Sequence, residues 1–195
     1  MDVFVLKGSV TGSMTDEEFF RFCSENPDLR IERNNKLEIL IMSPVTSLSS
    51  YYSGAAFAQL FNWSIKDKSG LAFDSSAGFT LPDRSVLSPD ASWVSLQKWN
   101  DLTEEEKNRF APVCPEFVIE VKSKTDYLPD LKKKMLSWLQ NGCALAWLID
   151  PDAECVYIFK PGQPESIVEG FNQTLTADSP VKGFELDLSV LKAQK

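Results

Sequence analysis

Hydrophobic residues recur along two stretches of the chain at the three-to-four-residue spacing of an amphipathic α-helix. One predicted helix runs from Tyr51 to Lys66, and the other runs from Leu128 to Asn141 with Gly142 as its C-terminal cap. Two capping boxes, Thr15 to Glu18 and Thr103 to Glu106, predict the starts of two shorter helices. The apolar stripes of the long helices consist of Tyr52, Ala55, Ala56, Leu60 and Trp63 in the first and Leu128, Leu131, Met135, Trp138 and Leu139 in the second.

Short apolar runs bounded by turn residues predict a series of β-strands. The predicted strands are Leu37 to Met42, Leu71 to Phe73, Gly78 to Leu81, Ala91 to Val94, Phe117 to Lys122, Ala144 to Ile149 and Cys155 to Phe159. Helices and strands are interspersed, and the chain shows neither an internal repeat nor a linker. We therefore predict a single domain over residues 1–195, of the α/β class, in which a mixed β-sheet is flanked by helices.

The composition is that of an ordinary globular protein, with 43% hydrophobic and 25% charged residues. No apolar run approaches the roughly 20 residues that a membrane-spanning helix needs. The N-terminal residues also lack the basic start and the apolar stretch of a signal peptide. We expect a cytoplasmic protein that is not associated with a membrane.

The residue types that are missing limit the chemistry available to the chain. It contains no histidine, and its four cysteines form no Cys-x-x-Cys pair, which argues against Ser-His or Cys-His catalysis and against a zinc site. Carboxylates, lysines, hydroxyls and thiols remain, together with a hard cation such as Mg²⁺, for which Mn²⁺ is a possible substitute. The net charge of −8 argues against a broad phosphate-binding surface but permits a local basic groove.

The predicted strand from Phe117 to Lys122 carries the clearest candidate chemistry. Side chains alternate between the two faces of a strand, so Glu120 and Lys122 are expected on one face. The carboxylate can ligate Mg²⁺, while the amine orients an attacking water or helps to deprotonate it. Taken alone, Glu-x-Lys is more often a solvated strand face.

A second acid at a strand start strengthens the case for a metal site. Asp90 follows Pro89 directly before the strand that begins at Ala91, and we predict that Asp90 and Glu120 share one cation. The main-chain carbonyl of Val121 is a candidate third ligand. Pro-Asp, about thirty residues and then Glu-x-Lys is the sequence form of the PD-(D/E)XK nuclease core.

Two further residues are weaker candidates. Glu32 precedes the first predicted strand and is a candidate additional acid for the site. Without the other acids, its position would indicate a surface residue. Lys134 belongs to the basic run from Lys132 to Lys134, and such a run is typical of a solvated helix face. Lys134 flanks the apolar stripe, so we select it as a candidate contact to a substrate phosphate.

Several segments together resemble the Uma-type restriction endonuclease family, a branch of the PD-(D/E)XK superfamily. The resemblance extends from about Met14 to Leu191. It rests on Asn26 to Arg33, Ile41 to Pro44, Phe73 to Pro82, Ser88 to Val94, Cys114 to Val121, Asn141-Gly142 and Trp147 to Pro151.

The resemblance implies a restriction-endonuclease-like fold, a Mg²⁺-type site and a homodimer. It also carries Glu32, Asp90 and Glu120 over as acids and places Lys122 at the lysine position of the motif. The leading hypothesis is a metal-dependent endonuclease that hydrolyses phosphodiester bonds of DNA. The alternative is a catalytically inactive protein of the same fold that binds nucleic acid or a protein partner, because a fold does not prove a function.

Overall fold

The computed structural model describes residues 3–6, 8, 12 and 14–192. The helices of this part are α1 (Asp16–Glu25), α2 (Ser47–Asp67), α3 (Leu96–Asn100), α4 (Glu104–Lys107), α5 (Leu128–Gln140) and a final 3₁₀ helix (Leu188–Leu191). The strands are β1 (Val3–Leu6), β2 (Arg30–Arg33), β3 (Ile39–Met42), β4 (Gly70–Asp74), β5 (Phe79–Thr80), β6 (Val86–Leu87), β7 (Ala91–Ser95), β8 (Phe117–Val121), β9 (Leu145–Asp150), β10 (Cys155–Phe159), β11 (Ser166–Glu169), β12 (Thr174–Thr176) and β13 (Glu185–Asp187).

The central element is a six-stranded mixed sheet in the order β11-β10-β9-β8-β7-β4. Strands β8 and β9 run parallel, and the other neighbouring pairs are antiparallel. A parallel pair needs a crossover, and here α5 connects the end of β8 to the start of β9. The mixed α/β architecture expected from the sequence is confirmed.

A second, antiparallel sheet has the order β1-β3-β2-β6-β5. It packs against α1 through a small core that contains Phe19, Ile31, Ile39 and Val86. Strands β12 and β13 form a separate hairpin near the C-terminal end of the described residues.

Both faces of the six-stranded sheet are covered, and β8 contributes alternate residues to each side. Phe117, Ile119 and Val121 pack toward α2 and the C-terminal segment. Val118 lies in the opposite core with Met135 and Trp138 of α5. This alternation directs Glu120, the next even-numbered residue of the strand, toward α5.

Local signals in the sequence account for most element boundaries. Both predicted capping boxes are present, at the starts of α1 and α4, and Gly142 after α5 has a φ of +108°. Strand β2 was not predicted, because four residues with two arginines show little apolar periodicity. No helix within residues 3–6, 8, 12 and 14–192 has both the length and the hydropathy needed to cross a membrane.

Candidate active site

Asp90 and Glu120 are brought together by the pairing of β7 with β8. The antiparallel register aligns Ala91 with Ile119, so Asp90, one residue before β7, lies opposite Glu120. The backbone N–H of Val121 donates a hydrogen bond of 2.7 Å to Asp90 Oδ2. Ser53 of α2 lines the same cleft as Asp90, and its hydroxyl donates to the Ser49 carbonyl within the helix.

Helix α5 supplies the groups that contact Glu120. The Lys134 amine lies 2.8 Å from Glu120 Oε1, and the Trp138 indole N–H donates to the same oxygen over 3.3 Å. Lys134 and Trp138 are four residues apart and therefore share one face of the helix. The crossover helix thus covers the carboxylate with one cation and one neutral donor.

Glu32 reaches the same position from the five-stranded sheet. Its Oε1 accepts a hydrogen bond of 3.0 Å from the Ser88 backbone N–H and lies 3.3 Å from the Lys134 amine. Glu32 is nearly inaccessible to solvent, as is Glu120. Lys134 therefore connects two acids that lie 88 positions apart in the sequence and on different sheets.

These side chains lie in a cleft of about 1020 Å³ between the five-stranded sheet, the start of α2 and α5. Glu32, Asp90, Glu120 and Lys134 all line this cleft. Glu32, Asp90 and Glu120 therefore line one cleft, while their chemical roles remain predictions.

Burial sets the protonation of the two acids. Burial raises the pKa of Glu120 to about 7; the Lys134 ammonium opposes this shift, and the nearby Asp90 and Glu32 carboxylates add to it. Burial also raises the pKa of Asp90, against the Val121 N–H and the positive charges of Lys134 and Arg30. The pair therefore holds its negative charge less readily than isolated carboxylates do.

Lys134 remains charged in this environment. Burial alone would lower the pKa of its amine, but the carboxylates of Glu120 and Glu32 outweigh that effect and raise the pKa. An ammonium with a raised pKa is a poor proton acceptor at neutral pH. Lys134 can therefore orient a water molecule or offset negative charge, but it is not suited to act as a general base.

Lys122 does not lie where the sequence predicted. Its amine is 3.5 Å from Asp150 Oδ2 and 3.9 Å from Asp152 Oδ2, and it is not among the residues that line the cleft. Strand β8 ends at Val121, but the backbone N–H of Lys122 still donates to the Ile149 carbonyl of β9. The largely buried ammonium therefore lies beside Asp150, the last residue of β9, and Asp152 in the turn that follows.

The donor set of the cleft suits a hard cation in part. Asp90 and Glu120 offer carboxylate oxygens, which Mg²⁺ and Mn²⁺ prefer, and Val121 lines the same cleft. A nearby cation would also offset the charge that the buried pair holds poorly. Within the described residues, no three His, Cys, Asp or Glu side chains are grouped to hold an ion. Two carboxylates still fit Mg²⁺, which usually keeps several water ligands.

Arg30 is a cleft residue that sequence reasoning missed. It lies two positions before Glu32 on β2 and lines the same cleft. Its Nε is buried and has no hydrogen-bond partner among the described residues. Residues i and i+2 of a strand share a face, so Arg30 is expected beside Glu32 once residues 30–33 are recognised as a strand. The sequence pattern did not predict that strand.

The fold and the cleft define a class of protein: an α/β nuclease fold with acids at neighbouring strand ends and a lysine from the crossover helix. The chain matches the Uma2 family, described as "Putative restriction endonuclease", over residues 16–189, and it belongs to that family. A solved structure of a "putative nuclease" from Anabaena variabilis is similar to it, with a TM-score of 0.73 and 21% sequence identity. The match covers 91% of this chain and 97% of that one, and it confirms the expected fold. None of the curated proteins matches the chain.

Proposed function

We propose that this protein is a metal-dependent endonuclease that hydrolyses phosphodiester bonds of DNA. The observation that supports the proposal best is the contact of Lys134 with Glu120 and Glu32 in the cleft that also contains Asp90. Two acids beside a permanently charged amine match the needs of phosphoryl transfer, in which negative charge must be offset while a water attacks. Membership of the family is consistent with this activity.

Asp90, Glu120 and the main-chain carbonyl of Val121 would hold Mg²⁺, or Mn²⁺ in its place. The cation would lower the pKa of a bound water and offset charge on the phosphate. The hydrogen bond from the Val121 N–H orients Asp90, and the Trp138 indole orients Glu120. Preorganised ligands of this kind need little rearrangement during the reaction.

Lys134 takes the water-orienting part of the role that the sequence motif assigned to Lys122. Its amine contacts both Glu120 and Glu32, so it lies at the acids, whereas Lys122 pairs with Asp150 and Asp152. Glu32 then acts as a positioning residue, because its carboxylate also holds the Lys134 amine.

The activity test uses purified protein, supercoiled plasmid and Mg²⁺ or Mn²⁺. We expect nicking or linearisation that disappears with EDTA and in the Asp90→Ala variant. Cutting that persists in Asp90→Ala would point to a contaminating nuclease. Binding without cutting, under every metal condition, would favour the alternative of an inactive nuclease-fold protein, for which the acidic net charge is the main argument.

The two lysines provide a matched pair of variants. Lys134→Met is expected to reduce the cleavage rate by about 10²-fold or more, because a charge-stabilising group beside the reaction is lost. Lys122→Met is expected to change the rate only a few-fold. Gel-based initial rates measure both effects.

Thermal unfolding must accompany the two lysine variants, because Lys134→Met leaves Glu120 and Glu32 buried without their cation. A folded Lys134→Met protein with wild-type activity would refute the assigned role. The same conclusion follows if Lys122→Met is the variant that loses activity.

We also propose that the protein is a homodimer formed through α2. An exposed stripe on this helix consists of Tyr51, Gly54, Ala58, Phe61 and Ile65. Antiparallel packing of two copies would place Ala58 on the symmetry axis and Gly54 opposite Phe61 of the partner subunit. The same stripe would thus be contributed by both copies, as a symmetric interface requires.

A cytoplasmic location is proposed as well, because all four cysteines are free.

A further inference from the structure

The rim of the cleft is apolar and exposed. Tyr127, the residue before α5, has 68% of its surface exposed, and Val3, Val45 and Leu136 are each at least 38% exposed. All four line the same cleft as Asp90 and Glu120. Large apolar side chains that surround one cleft form a patch, and such patches mark binding sites.

The interior of the cleft offers few positive charges. Lys134 is already engaged by Glu120 and Glu32, and Lys133 pairs with Asp130. Arg30 contributes the buried Nε that has no partner among the described residues. The cleft can therefore accept a phosphate at Arg30 and Lys134, but it does not offer a row of cations for a series of phosphates.

This combination fits an unpaired strand better than a duplex. Duplex DNA carries one negative charge per about 1.7 Å of axis and keeps its bases stacked inside, so the faces of its bases are not available to the apolar rim. A single strand exposes the faces of its bases, which stack on aromatic side chains. Proteins of this kind combine limited positive charge along the backbone with an aromatic platform for the bases.

We infer that the cleft takes an unpaired stretch of DNA, with a base stacked on Tyr127 and the adjacent phosphate at Arg30 and Lys134. The inference rests on the proposed function and specifies its substrate class. Tyr127 would contact the substrate and determine the preference for a single strand.

Binding is measured by fluorescence anisotropy with a labelled DNA strand of about 16 nucleotides, alone or annealed to its complement. Ca²⁺, which takes oxygen ligands of the same type, replaces Mg²⁺. We expect the wild type to bind the single strand about tenfold more tightly than the duplex. Tyr127→Leu should lose about tenfold in affinity for the single strand, whereas Tyr127→Phe should retain it.

Phe4→Leu is the matched control, since Phe4 is also an exposed aromatic residue but does not line the cleft. Equal or tighter binding of the duplex would overturn the inference. So would equal behaviour of Tyr127→Leu and Phe4→Leu, or the absence of binding to either DNA.

A parallel cleavage assay with Mn²⁺ separates this inference from the proposed function. Cutting of the duplex that depends on Asp90, without preference for the single strand, would sustain the nuclease and refute the inferred substrate. Tyr127-dependent binding of the single strand without cutting of either DNA would sustain the inferred ligand and refute the hydrolase.

Discussion

Asp90 and Glu120 illustrate how burial and like charge act at the scale of single residues. Each is an acid with a raised pKa, and each lies close enough to the other to disfavour a second negative charge. The Lys134 ammonium offsets only part of the repulsion between these acids, because it also contacts the Glu32 carboxylate. Stability is thus given up at the position where chemistry is proposed, as is expected of functional sites.

The first residue-scale prediction concerns Asp90→Asn. The amide keeps the shape of the side chain and can still accept from the Val121 N–H, but it removes one negative charge. We expect the melting temperature of the metal-free protein to rise by a few degrees, equivalent to about 1 kcal/mol. The stabilisation of the wild type by Mg²⁺ or Mn²⁺ should disappear.

Thermal-shift measurements with EDTA and with metal test both parts of the Asp90→Asn prediction. A variant that is less stable without metal but still responds to metal would identify Asp90 as a structural residue. The proposed site would then be wrong.

The second residue-scale prediction is the pH dependence that Glu120 causes. Its pKa is about 7 in the folded protein and close to 4.5 when unfolded, so the folded state binds the extra proton between these values. The associated stability is fully present below about pH 4.5 and is lost as the pH rises through 7. In EDTA, the free energy of unfolding should fall by an amount on the order of 2 kcal/mol between about pH 5 and about pH 8.

Glu120→Gln is the control for this pH dependence. Its unfolding free energy, measured with urea across the same pH range, should be nearly flat. A wild-type curve that rises over this range, or a variant that keeps the full slope, would contradict the pKa direction given for Glu120.

At the scale of elements, the site depends on how closely strands and helices approach. Strand β4 shows this most directly, because a Cβ at Gly70 would overlap the Trp93 ring and the Val94 carbonyl. Trp93 in turn contacts Trp63 of α2, with ring centroids 6.2 Å apart. The glycine lets the edge strand approach β7 closely, next to α2.

Gly70→Ala is therefore expected to destabilise the protein by about 3 kcal/mol through overpacking. Gly162→Ala is the matched comparison, since a Cβ there meets open space and only the φ of +69° opposes it. That change should cost about 1 kcal/mol. Equal losses of unfolding free energy in urea titrations would show that β4 is not held against Trp93 in this way.

At the scale of the whole molecule, α2 is apolar on both sides. Its inner side packs on the six-stranded sheet through Tyr52, Ala56 and Leu60, and its outer side is the exposed stripe centred on Ala58. A helix that is hydrophobic all round is normally buried, so the outer side is the natural place for a partner.

Ala58→Glu should convert the proposed dimer into a monomer, since it would place two like charges on the symmetry axis. Light scattering at a protein concentration of tens of micromolar measures the mass of the assembly directly. Ala153→Glu, an identical change at an exposed position in the turn between β9 and β10, should leave the dimer intact. A monomeric wild type would refute the dimer, and a dimeric Ala58→Glu protein would place its interface elsewhere.

The sequence alone determined the features that depend on neighbours along the chain. Capping boxes, the helical stripes and the turn at Asp150 to Glu154 are local, so their residues predicted α1, α2, α5 and the β9–β10 hairpin. The alternation along β8 placed Phe117 and Ile119 in one core and Glu120 on the opposite side for the same reason.

The choice between two lysines was made only by the tertiary structure. The motif favoured Lys122 because it is two residues from Glu120, but Asp150 at the end of β9 and Asp152 in the following turn hold that amine. Lys134 reaches Glu120 because a crossover helix must pack on the face of its own sheet, and Glu32 joins them from a second sheet. Contacts between residues far apart in the chain follow from packing, which local patterns do not specify.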